Sequence, residues 1–181
     1  EERKVFIMKF EPTAESISKH EVPQWYNDAK FGIFIHWSLF SVPAWAPVEG
    51  KNLAELSESD DGFGNSMRNS PYAEWYLNTS RIEGTPTNLH HKEVYGENYN
   101  YFDFQGKCIS ADEWADFFKE AGAKYVVLVT KHHDGYCLWP SEYKNPKMPK
   151  YQSKRDLVGE ITDAVRARGM KMGLYYSGIF D

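Results

Sequence analysis

The chain has 181 residues, 41% of them hydrophobic, which suits one domain with a sizeable core and gives no compositional sign of disorder. Its 21 basic and 26 acidic residues leave a net charge of -5, and no block of Lys or Arg is long enough for a phosphate-binding stripe, which excludes nucleic acid as the expected partner. No apolar stretch approaches the ~20 residues of a membrane span, so no membrane partner is expected. Cys108 and Cys137 are too few and too far apart for a disulfide framework or a CxxC metal site, and both are expected to pack as small apolar residues. The charged start Glu1-Glu2-Arg3-Lys4 does not resemble a complete signal peptide, yet residue 1 is not Met, so the compartment stays open.

A short amphipathic stretch around Pro23 to Ala29 precedes a predicted first strand, Phe31 to Trp37. A long irregular region from Ser38 to Gln105 follows, with Gly and Pro punctuation and a predicted short helix at Pro71 to Asn78. Connections of this length are usually active-site loops or lids. Ser110 and Glu113 have capping-box spacing, and Trp114, Phe117, Phe118 and Ala121 then define the apolar face of a helix stopped near Gly122. Tyr125 to Thr130 reads as the second strand. The helix Asp156 to Arg168 buries Leu157, Val158, Ile161, Ala164 and Val165 and stops at Gly169, and Met170 to Ser177 is the third strand.

The first two strands are continuous apolar runs ending abruptly in His36 and in His132-His133, as expected of strands buried on both faces whose carboxyl ends open to solvent. Strand, helix, strand, helix, strand with short helix-to-strand loops is the pattern of βαβ units and a parallel sheet. A doubly wound sheet would mark its first turn with glycines cradling phosphate, and neither GxGxxG nor GxxxxGK[ST] occurs at these strand ends. A (β/α)8 barrel instead puts working residues at the carboxyl ends of several strands, where His36, His132, His133 and Tyr175 fall. Such a barrel needs about 250 residues. The predicted fold class is therefore α/β, with residues 1–181 the amino-terminal part of a (β/α)8 TIM barrel: about three βα units with a long loop after the first strand. The aromatic share, 16% with six Trp and twelve Tyr, is high. On composition alone these rings fill cores and cover loops, although sugar rings would also stack on them.

Lys30-Phe-Gly-Ile-Phe-Ile-His-Trp37, Ser41-Val-Pro-Ala44, Pro71-Tyr-Ala-Glu-Trp-Tyr76, Ala121-Gly-Ala-Lys-Tyr125, Lys131-His-His-Asp-Gly-Tyr-Cys-Leu-Trp139, Arg155-Asp-Leu-Val-Gly159 and Gly173-Leu-Tyr-Tyr-Ser177 together resemble the amino-terminal part of the catalytic domain of glycoside hydrolase family 29 α-L-fucosidases. The likeness spans roughly residues 22 to 181 in order, and the HHDG[FY]CLW stretch is far more specific than any short motif. It implies a retaining exo-glycosidase that removes terminal α-linked L-fucose from glycans or oligosaccharides, with no cofactor and no metal.

L-fucose offers three ring hydroxyls and a methyl at C5, so its pocket needs several donors and acceptors around a small ring plus an apolar wall. The resemblance implies that His36, His132, His133 and Glu74 bind hydroxyls, with Trp75 and Tyr175 beside the sugar. Read without it, His36 could be satisfied by backbone at a strand end, and Glu74 could be a helix-surface charge. His132 and His133, as neighbours in a strand, meet one ligand only if the strand bends at its end. No HxH, HExxH or third ligand at helical spacing supports a metal there. Asp134 either lines the pocket or caps the turn at Gly135.

A retaining glycosidase needs a nucleophile and an acid/base about 5 to 5.5 Å apart. Family members differ over which Glu is the acid/base, so Glu74 is read as a binding carboxylate first and an acid/base second. The family's Asp nucleophile lies on a strand beyond the third, and no residue here matches it. The chain alone is thus expected to be inactive, a piece of the complete enzyme. Exposed apolar surface left by a half barrel favours self-association or docking with the missing carboxyl-terminal portion. Ser38 stands where the family usually has Gly, and Asn78-Thr79-Ser80 is a glycosylation sequon, a common triplet that informs little. Two other readings use the same residues: a sugar-binding barrel fragment without catalysis, and a metal-dependent hydrolase on the same fold.

Overall fold

The computed structural model describes residues 10–48, 52–58, 61–97 and 110–178. Cys108, the charged start and Asp181 lie outside them. Residues 1–30 and 31–181 form two compact units. In the first, Thr13 caps α1 (Ala14–Ile17), its hydroxyl accepting from Ser16 N at 3.2 Å, and α2 (Gln24–Ala29) starts directly after Pro23.

The second unit holds a three-stranded parallel sheet in the order β1 (Gly32–Ile35), β2 (Tyr125–Lys131), β3 (Lys171–Tyr176). Helix α7 (Ala111–Glu120) leads into β2, and α8 (Leu157–Ala167) crosses from β2 to β3. Ser110 caps α7 and Asp156 caps α8, each accepting from the backbone N–H three residues on. Val126 and Leu128 of β2 join Phe118 of α7 and Leu157, Ile161 and Val165 of α8 in one core. The opposite face of the sheet carries Phe34 and His36, Val127 and Val129, and Gly173 and Tyr175, as strand alternation and the observed register require. Gly32 pairs with Tyr125 there, and a Cβ on it would run into the Tyr125 ring.

Three expectations need correction. The region 38–105, read as irregular, is largely short helices among its described residues: α3 (Leu53–Ser57), α4 (Gly62–Arg68), a 3-10 turn (Ala73–Trp75) running into α5 (Tyr76–Ser80), and α6 (Pro86–Tyr95). Phe117, expected on the buried face of α7, is 67% exposed, because the helix approaches the core through Ala115 and Phe118 with Trp114 partly buried. Burial on both faces holds for β2 alone, since it is the only one of the three with a neighbour on each side. The predicted face of α8 is as expected, with Val158 partly buried at its margin. Among the described residues, no helix is long and apolar enough to cross a membrane.

Candidate sugar-binding site

The carboxyl ends of β1, β2 and β3 converge on one cluster of rings. His36 lies 5.7 Å from His132 and 6.3 Å from Tyr175, ring centre to ring centre, and His132 packs 6.2 Å from Tyr175 in a near-parallel pose. Phe34 closes one side, 4.7 Å from His36 and 5.6 Å from Tyr175, and Phe40 approaches His132 at 5.7 Å. His133 is 4.6 Å from His132 and stacks on Trp75 at 4.4 Å with 24° between the ring planes. The cluster thus joins His36, Trp75, His132, His133 and Tyr175 from separate stretches of chain.

Both neighbouring histidines reach it because β2 is irregular at its end. Val129 pairs with Tyr175 but Lys131 with Tyr176, so one extra residue, Thr130, is inserted against β3. The Thr130 hydroxyl donates to the Tyr175 carbonyl at 2.8 Å, holding the bulge. The chain then turns: Gly135 N donates to the His132 carbonyl at 3.0 Å, and Asp134 accepts from Tyr136 N at 2.9 Å. Asp134, buried, therefore caps the turn, the second of its two expected roles. Cys137 just beyond is buried, as expected of a residue that packs as a small apolar side chain.

His133 is further fixed by groups that the sequence reading did not single out. Ser177, buried just past β3, hydrogen-bonds His133 Nδ1 at 2.7 Å, and Asn78 of α5 donates to the His133 carbonyl at 3.2 Å. Ser177 was discoverable, since it continues the alternation Gly173, Tyr175, Ser177 on the site face. The Asn78 amide serves the site from within a helix whose Thr79 and Ser80 are buried, so this sequon is not built as a surface acceptor. Glu74 lies half-buried on the 3-10 turn immediately before Trp75, and among the described residues it has no ion-pair or hydrogen-bond partner. Ser38 takes extended backbone at φ -168°, which a side chain tolerates, and its N–H donates to Ser41 Oγ at 3.3 Å.

His132 is 6% exposed and, among the described residues, its buried Nδ1 has no hydrogen-bond partner. Burial, reinforced by His133, His36 and Lys131, pushes its pKa down from 6.5 to about 4. The imidazole is therefore neutral at neutral pH, with one donor and one acceptor nitrogen. Among the described residues, no group of three His, Cys, Asp or Glu side chains is arranged to hold a metal ion.

A family profile described as Alpha-L-fucosidase matches residues 2–180. Alpha-L-fucosidase of Dictyostelium discoideum is 38% identical over 177 residues, covering 93% of this chain and 34% of that protein. Plasma alpha-L-fucosidase of Homo sapiens is 38% identical over 175 residues, covering 93% and 32%. Among solved structures, Thermotoga maritima alpha-fucosidase in complex with fucose aligns with a TM-score of 0.76 at 43% identity, covering 95% of this chain and 38% of that one. A family 29 alpha-L-fucosidase from Bacteroides thetaiotaomicron aligns with a TM-score of 0.53 at 29% identity, covering 87% and 30%. The chain spans about one third of the length of these curated relatives. With nearly all of its length matched by the profile, this chain belongs to the alpha-L-fucosidase family.

Proposed function

We propose that these residues form the fucose-binding wall of a retaining exo-α-L-fucosidase built on a (β/α)8 barrel, of which β1 to β3 are the first strands. The observation that carries the proposal is the convergence of His36, His132, His133, Tyr175 and Trp75 at the carboxyl ends of three parallel strands, on the face away from the helices. In this reading the histidines exchange hydrogen bonds with the ring hydroxyls of fucose, and Phe34, Tyr175 and Trp75 meet its apolar C–H face and methyl. Ser177 holds the His133 ring beside the cluster, its hydroxyl 2.7 Å from Nδ1 and 3.4 Å from Nε2. Glu74 accepts from a hydroxyl, and its nearness to Trp75 also keeps it a candidate acid/base. The nucleophilic carboxylate comes from outside these 181 residues, so binding and cleavage are divided along the polypeptide.

The test is hydrolysis of p-nitrophenyl α-L-fucoside by the full-length protein, with the anomer of the first-formed fucose followed by NMR. Turnover with retained configuration that survives chelator is the expected result. A folded full-length protein without turnover refutes the enzyme reading, and chelator-sensitive turnover refutes the metal-free one.

A further inference from the structure

Apart from the ring cluster, a cavity of about 420 Å³ opens beneath the loop that follows β2, within the size range of ligand pockets. Its wall shares no residue with the ring cluster just described. Lys131, Lys144 and Lys147 line it together with Trp139, Tyr143 and Tyr176, and no carboxylate is among the lining residues. In a chain of net charge -5, a concave surface with three cations and no anion is a local reversal of sign. Lys131 is 3% exposed, and its ammonium lies 4.8 Å from the centre of the Tyr176 ring, so one cation is held in place rather than free on a surface stem. Trp139 meets the same Tyr176 ring at 6.5 Å. The loop over the cavity is tied down: Cys137 N donates to the Tyr151 carbonyl at 2.7 Å, Ser153 N donates to the Cys137 carbonyl at 2.8 Å, and Met148 is buried. Gly135, at φ 79°, lets Asn145 approach closely enough that a Cβ would lie 2.8 Å from its amide nitrogen.

Aromatic walls with fixed and rim lysines match a ligand that has both an apolar ring face and an anionic group. We infer that this cavity is a second saccharide site, selective for a sugar ring bearing a sulfate ester or a carboxylate. The anion would pair with the lysines while the C–H face of the sugar lies against Trp139 and Tyr176. The inference does not depend on the fucosidase reading, because the two sites have separate walls.

Saturation-transfer NMR on the full-length protein tests it with four probes: methyl glucoside 6-sulfate, methyl glucuronoside, neutral methyl glucoside and inorganic sulfate. The charged sugars are expected to bind with millimolar Kd, about tenfold tighter than the neutral one, and to remain bound at saturating L-fucose. The exposed-lysine double variant Lys144→Ala/Lys147→Ala should weaken them about fivefold and leave p-nitrophenyl fucoside turnover unchanged. Equal binding of neutral and charged sugars, no binding at about 20 mM, or no effect of the double variant would overturn the inference. Displacement by L-fucose would move the ligand to the histidine cluster, and sulfate competing as tightly as the sulfated sugar would mean an adventitious ion only; either result also overturns it.

Discussion

Acidification reads the environment of His132 directly. In an unfolded chain this side chain takes up a proton near pH 6.5, whereas in the folded protein burial and the neighbouring His133, His36 and Lys131 delay it to about pH 4. The folded state thus prefers the neutral ring, and the unfolded state binds more protons between those two values. The stability contributed is therefore fully present above pH 6.5 and is lost as pH falls toward 4, amounting to about 3 kcal/mol. His91, buried and hydrogen-bonded to Tyr76, is also shifted downward, chiefly by burial, so it adds to the same acid limb. Comparing the full-length protein with its His132→Gln variant separates the two, because His91 is common to both. Histidine C–H resonances followed by proton NMR, with His132 assigned from the signal missing in the variant, should give a midpoint near 4. Denaturation midpoints at pH 7, 5 and 4 should fall less steeply in the variant. A His132 midpoint above about 6, or parallel pH profiles for the two proteins, would refute the reasoning.

Ser177→Ala removes the 2.7 Å partner of His133 Nδ1, and a lost buried hydrogen bond of about 1 to 3 kcal/mol predicts a drop in kcat/KM of roughly 5- to 150-fold with a modest loss of thermal stability. Ser177→Thr, which keeps the hydroxyl, should recover part of it; an unchanged kcat/KM in Ser177→Ala would dismiss the positioning role. Trp75→Ala removes the ring stacked on His133, and aromatic pairs worth about 0.5 to 1.5 kcal/mol predict fucose Kd raised roughly 2- to 13-fold in calorimetry. Gly32→Ala drives a Cβ into the Tyr125 ring, an overpacking expected to cost about 1 to 3 kcal/mol in denaturant melts. Adding Tyr125→Ala should relieve it, and additive losses in the double variant would show that the collision is not the cause.

The strands and the two helices that flank β2 were legible because their signals are strong: apolar runs bounded by turns, and helical periods opened by Ser110 and Asp156. Helix α6 was not, although Thr85 before Pro86 is a cap followed by a first-turn proline, and the Thr85 hydroxyl does accept from Asn88 N at 3.1 Å. Its buried face is Thr87, Asn88 and His91; the Asn88 amide donates to the Ser80 carbonyl at 2.7 Å and accepts from Gly84 N at 3.1 Å, and His91 Nδ1 meets the Tyr76 hydroxyl at 3.1 Å. A hydrophobic period cannot reveal a face made of polar residues. Phe117 fails in the opposite sense: an apolar residue at the margin of the right stripe is left exposed, because small Ala115 lets α7 approach the core at that point.

The candidate site was legible as a set of residues but not as a geometry. Strict alternation along β2 would put Val127, Val129 and Lys131 on the site face and turn His132 toward the helices. The extra residue at Thr130 reverses that parity: Lys131 passes to the side of Tyr176, where its ammonium covers the ring, and His132 arrives beside Tyr175 and His36. The turn closed by Gly135 then brings His133 around to the same cluster, where Ser177 and Trp75 hold it. One inserted residue therefore shapes both places, since the same shift that brings His132 to the ring cluster brings Lys131 to the cavity behind it. Deleting Thr130 would pair Val129 with Tyr175 and Lys131 with Tyr176 without a bulge, so Lys131 should stay beside Tyr176 and His132 beside Tyr175 and His36. Loss of fucose binding by such a deletion variant in calorimetry would show that the bulge does more than set this parity.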